Sequence, residues 1–144
     1  MRIDFIKDKT LTEPRVIIQA PSRTEDIEEL IDMISGFSPS PIKGYSEGSI
    51  TRVSRDSIIR IYSKDKRVYA DTVDGSFVIK SPLYQLEEDL PSKFVRISNS
   101  EIVNSDKIIR LEMNLSGKIK ILLEGDIESY VSRRYIPKVK EVLI

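Results

Sequence analysis

Three short polar stretches, each set beside β-branched or aromatic runs, carry the side chains best suited to recognising a ligand. The first is Ser98-Asn99-Ser100, with Phe94–Ile97 before it and Glu101–Val103 after it. Small polar residues in such a place turn the chain by bonding their own backbone. An asparagine held at that corner presents an amide that both donates and accepts, which suits the adenine edge in a DNA major groove. A turn asparagine that only closes its corner is the plainer reading, and both stay open. The second stretch is Ser63-Lys64-Asp65-Lys66-Arg67, with three bases among four consecutive residues. The third is Ser132-Arg133-Arg134-Tyr135, and arginine is the side chain that bonds guanine O6 and N7 in bidentate fashion. Solubilising surface charge is the alternative for both basic stretches.

Other chemistries are excluded by what the chain lacks. Histidine and cysteine are both absent. Their absence removes Ser-His-Asp and Cys-His catalysis, disulfides and thiolate metal sites, and makes a cytoplasmic setting the simplest expectation. Paired carboxylates could still act as acid and base. The densest acidic group in the main body is Glu87-Glu88-Asp89, whose adjacent helical positions do not face one site. No enzymatic activity, metal or cofactor is expected.

The elements that must position the three stretches follow from periodicity. The spacing predicts strands at Ile50–Val53, Ile58–Tyr62, Arg67–Thr72, Ser76–Lys80, Ile108–Met113, Lys118–Leu123 and Ile127–Val131. Strands about ten residues apart favour a mainly β fold, with a sandwich or barrel-like core, over a parallel α/β sheet. Asp74-Gly75 is expected to supply positive φ angles to one hairpin. A short helix is expected after Ser81 as N-cap and Pro82, with Leu83, Leu86 and Leu90 inward. A closing helical turn is expected at Pro137–Leu143.

The first forty residues read differently. Arg2–Ile6 and Arg15–Gln19 have the pattern of strands, and Ser22-Arg23-Thr24-Glu25 offers an N-cap at Ser22 or Thr24. A helix over Glu25 to Ser35 then aligns Ile27, Leu30, Ile31 and Ile34 in one apolar stripe. Its other face holds Glu25, Asp26, Glu28, Glu29 and Asp32, and Gly36 is placed to end it. Residues 1–40 therefore read as a strand–strand–helix accessory element, and 41–144 as the main domain. Proline, glycine and serine in Phe37–Gly48 suggest a linker between them. The net charge of zero divides into −3 for residues 1–40, with 5 basic and 8 acidic, and +3 for the remainder, with 18 basic and 15 acidic. Only bases clustered on one face would make so small an excess effective toward DNA.

Phe94–Asn104, then Lys107-Ile108, then Tyr130–Tyr135 before a lysine-rich end, resembles the LytTR family of bacterial DNA-binding domains. The likeness spans roughly Tyr45 to Ile144. It implies a mainly β fold of short packed antiparallel sheets with few short helices, and binding of double-stranded promoter DNA through loops rather than a recognition helix. By similarity, base contacts fall to Lys66, Asn99 and Arg134. Backbone contacts fall to Lys64, Arg67, Arg96, Ser98, Ser100, Arg133 and Lys138, with Ser98 standing where many members carry histidine. Two copies are expected on a direct or inverted repeat. Residues 1–40 are too short for the receiver domain of many members. Stand-alone members resemble an arrangement with a membrane-protein regulator, a possible partner here. The rival reading is a non-enzymatic protein-interaction module that uses the acidic helix.

Overall fold

The computed structural model describes residues 1–35 and 41–144. Its elements in chain order are α1 (Glu25–Ser35), β1 (Ile42–Ser46), β2 (Ser49–Val53), β3 (Ile58–Lys64), β4 (Arg67–Thr72) and β5 (Gly75–Ile79). There follow α2 (Leu83–Asp89), β6 (Phe94–Ser98), β7 (Glu101–Asn104), β8 (Ile108–Met113), β9 (Ile119–Leu123), β10 (Ile127–Tyr130) and α3 (Ile136–Leu143). Seven strands form one antiparallel sheet in the order β2-β1-β5-β4-β3-β7-β6, and a second sheet has the order β10-β9-β8. The mainly β expectation is met.

Period-two alternation divides the large sheet between two cores. On one face Val53, Ile61, Ala70, Ile79 and Ile102 pack with Leu83, Leu86 and Leu90, the inward stripe of α2 and its end. On the other face Ile59, Val95 and Val103 meet Ile119, Ile121 and Leu123 of β9, with Val131 and Val139 closing the end. The second core covers the β6–β7 side of that face. Asn104 is fully buried at the end of β7. Its Nδ2 donates to the Ile58 carbonyl at 2.8 Å, and its Oδ1 accepts from the Asp106 amide at 3.0 Å.

Several expectations need correction. Arg2–Ile6 and Arg15–Gln19 are not strands. Ile3, Phe5, Val16 and Ile17 are exposed, because a β pattern forms no strand without an edge to pair with. The arm instead touches the end of α2, where Lys7 donates to Glu88 at 2.7 Å and Ser92 to the Leu11 carbonyl at 3.2 Å. The expected linker is in part strand β1, paired along its length with β2; Gly36 and residues 37–40 lie outside the described residues. Gly44, which reads as a linker residue, is a packing residue: a Cβ there would stand 2.7 Å from Phe77. Pro82 itself is the N-cap of α2, with no side-chain cap, so Ser81 plays no capping part. At the Val73-Asp74 turn only Gly75 has positive φ, and the Thr72 hydroxyl braces the turn by accepting from the Asp74 amide at 3.1 Å. Between the two N-cap candidates for α1, Thr24 is the one used, accepting from the Ile27 amide at 3.4 Å.

Candidate nucleic-acid interface

Two tight turns and one helical turn bring the three polar stretches to one end of the molecule. Lys64 pairs with Arg67 across β3 and β4, leaving Asp65 and Lys66 as a two-residue turn. Both have positive φ, 51° and 65°, the geometry that matches the twist of an antiparallel pair. The tip therefore holds Lys64, Lys66 and Arg67 outward, all exposed. Ser98 pairs with Glu101 across β6 and β7, so Asn99 and Ser100 form the second tip. The Ser63 amide donates to the Ser100 carbonyl at 2.8 Å and joins the first tip to the second. A 3-10 turn at Arg133–Tyr135 follows β10 and is tied in by the Ser132 amide donating to the Ile97 carbonyl at 3.0 Å. The Tyr135 hydroxyl then donates to Asn99 Oδ1 at 3.0 Å.

The residues at this end divide by what their polar atoms already do. Asn99, Ser100, Arg133, Arg134 and Lys138 are exposed, like the bases of the first tip. Arg134 lies 5.8 Å from the centre of the Tyr135 ring. Lys66, Arg67 and Asn99 line one open hollow. Ser98 is turned inward to its own corner, its Oγ accepting from the Ser100 amide at 3.2 Å. Arg96 is committed further: its guanidinium donates to the carbonyls of Ser98 at 2.7 Å and Asn99 at 2.6 Å, and to Glu87 at 2.6 Å. With 12% of its side chain exposed and its charge matched by Glu87, it braces the second tip from beneath.

Residues 48–144 match the family model of the LytTr DNA-binding domain. The chain belongs to the LytTR family. It is similar along nearly its whole length to uncharacterized HTH-type transcriptional regulators of Staphylococcus aureus. The one from strain COL is 32% identical over 144 residues, covering 99% of this chain and 98% of the relative. The one from strain MRSA252 is 31% identical with the same coverage. Among solved structures, a LytTr DNA-binding domain from Bacillus cereus superposes with a TM-score of 0.70 at 20% identity, covering 74% of this chain and 98% of that domain. The relatives' names describe a helix-turn-helix type, yet among the described residues of this LytTR chain strands separate α1, α2 and α3.

Behind the three tips lies a polar network that reading along the chain does not reveal. Arg60 of β3 donates to Asp71 of β4 at 2.7 Å and stands 3.6 Å from Glu101 of β7. Ser129 of β10, buried in the second sheet, donates to Glu101. Burial pushes the Glu101 carboxyl above its ordinary range, against the opposing pull of Ser129 and Arg60. Glu101 lies two residues past Asn99, and Ser129 four before Arg133. The network thus fixes the Asn99 tip and the Arg134 turn relative to each other within the LytTR fold. Alternation marks Arg60, Asp71 and Glu101 as one face of the sheet, but Ser129 comes from the other sheet and carries no local signal.

Proposed function

We propose that this chain is a sequence-specific transcription regulator that reads base edges through Lys66, Asn99 and Arg134, on three loops presented together to the major groove. The hydrogen bond from Tyr135 to Asn99 carries this reading. It joins the asparagine tip to the arginine turn, so that two candidate readers act as one rigid surface, as direct readout requires. With Oδ1 held by the tyrosine hydroxyl, the two Nδ2 hydrogens face outward as donors and one Oδ1 lone pair remains free. Lys64, Arg67, Ser100, Arg133 and Lys138 surround the readers as phosphate contacts, and Ser98 contributes from the base of its turn. Arg96 acts as a positioning residue, its guanidinium spent on the loop carbonyls and Glu87. The domain acts without catalysis or cofactor, two copies occupying a short repeated site.

A footprint on the DNA upstream of the chain's own gene tests this. The expected result is protection of two short repeated elements, lost site by site when base pairs facing Lys66, Asn99 or Arg134 are changed. Uniform protection that follows length and salt but not sequence would overturn it.

A further inference from the structure

The free part of the large sheet carries an apolar row that the three loops border but do not use. Ile50, Tyr45, Val78, Tyr69 and Tyr62 are successive cross-strand partners over β2, β1, β5, β4 and β3. Cross-strand partners share a face, so these five side chains form one apolar and aromatic row, opposite the face that packs on α2. Ile50 is 65% exposed, and the other four are half-buried. Bases line one side of the row: Lys43, Arg52 and Lys80, continued by Arg67 and Lys64 of the first tip, at alternate positions of the same strands. None of the five has an ion-pair partner among the described residues. Lys43 stands directly opposite Arg52, a like-charge pairing that costs stability until an acid joins it.

The occupant is a helix rather than a stacked nucleic-acid strand, because the ring faces are taken. Lys80 sits 4.1 Å over Tyr45, Arg60 4.4 Å over Tyr62, and the Tyr62 and Tyr69 rings stack at 5.5 Å. Helix α1 has the complementary character. It buries no residue, its Ile27/Leu30/Ile31/Ile34 stripe is half-exposed, and Met33 is 74% exposed. At 100° per residue, Asp26 and Glu28 fall on either side of that stripe. Of its five acids only Glu28 is paired, with Arg23, among the described residues. An amphipathic helix of this length does not hold its form alone in water. We infer that the Ile50–Tyr45–Val78–Tyr69–Tyr62 row is the docking site for helix α1 of a second copy, the acids on one flank of its stripe meeting Lys43, Arg52 and Lys80. The opposite charges of the chain's two parts favour that pairing, and its reciprocal form closes as a two-fold dimer. The row borders the first tip at Arg67 and Lys64, while the docking itself needs no DNA contact.

Sedimentation of the full chain over a micromolar concentration series tests the pairing, with melting recorded for each variant. The wild type is expected at dimer mass, and Ile31→Asp, Ile50→Asp and Arg52→Glu at monomer mass with an intact melting transition. Mixing Ile31→Asp with Ile50→Asp should restore dimers, because one supplies a sound sheet face and the other a sound helix. A monomeric wild type would overturn the inference, whether its helix docks on its own sheet or awaits another protein. Dimers that survive all three substitutions would overturn it, as would a mixture that stays monomeric.

Discussion

The Tyr135 hydroxyl donates to Asn99 Oδ1 at 3.0 Å, across 36 residues of sequence, and so fixes an exposed amide at the tip of one turn from the end of another. This bond orients the donor pair of Asn99. Tyr135→Phe removes it while keeping the ring's packing. The expected outcome is a severalfold loss of affinity for the specific site, with affinity for random DNA and melting nearly unchanged. A hydrogen bond of this kind contributes about 0.5–1.5 kcal/mol. Parallel titrations of Tyr135→Phe on both DNAs read the difference.

Lys64 stands at the margin of the first tip, exposed and without an ion pair among the described residues. Lys64→Ala is expected to weaken binding about equally on specific and random DNA, and to reduce the slope of log affinity against log salt by roughly one. Affinities at several salt concentrations check this. A loss confined to one base pair would make Lys64 a reader.

Asn104 is fully buried and answers two backbone groups at once. Asn104→Ala leaves the Ile58 carbonyl and the Asp106 amide without those partners. Its expected cost is about 1–3 kcal/mol of folding stability per stranded group, read by denaturant unfolding.

Glu101 gives stability a dependence on pH. Burial raises its carboxyl above the unfolded value, so the native state holds its proton more tightly than the unfolded chain. That contribution is fully present below the ordinary carboxylate range and is lost as pH rises through the higher native value. Glu101→Gln is expected to remove this component, so its stability relative to wild type should improve between acid and neutral pH. Parallel melting curves across that window would show no such convergence if Glu101 ionised as an exposed carboxylate.

The legible parts of this fold were those whose signal is local. Leu83, Leu86 and Leu90 announce the inward side of α2 by spacing alone, and Lys64 to Arg67 announces a hairpin tip by charge between β-branched runs. Strand β1 was hidden because glycine and proline beside it mimic a linker. Gly44 is there for a different reason, the close approach of Phe77. Arg2–Ile6 shows the converse failure: alternation is necessary for a strand but does not supply a neighbour. In the site, Lys66, Asn99 and Arg134 are visible as residue types in loops, whereas the roles of Arg96 and Tyr135 depend on partners in other elements. Nothing near Arg96 in sequence announces that Glu87 and two loop carbonyls will take its guanidinium.

The central claim is that Asn99 and Arg134 read bases and do not merely build their turns. A good bidentate base contact discriminates by about 1–3 kcal/mol, while an exposed turn residue changes stability by about 0.5 kcal/mol or less. The decisive measurement takes melting and affinity, on specific and random DNA, from the same preparations of Asn99→Ala and Arg134→Ala. Both variants are expected to melt as the wild type does and to lose about tenfold or more in specific affinity, at 1.4 kcal/mol per decade. Asn99→Ala should spare random DNA, because an amide neutralises no phosphate. A variant that melts early yet binds its site normally would contradict the account.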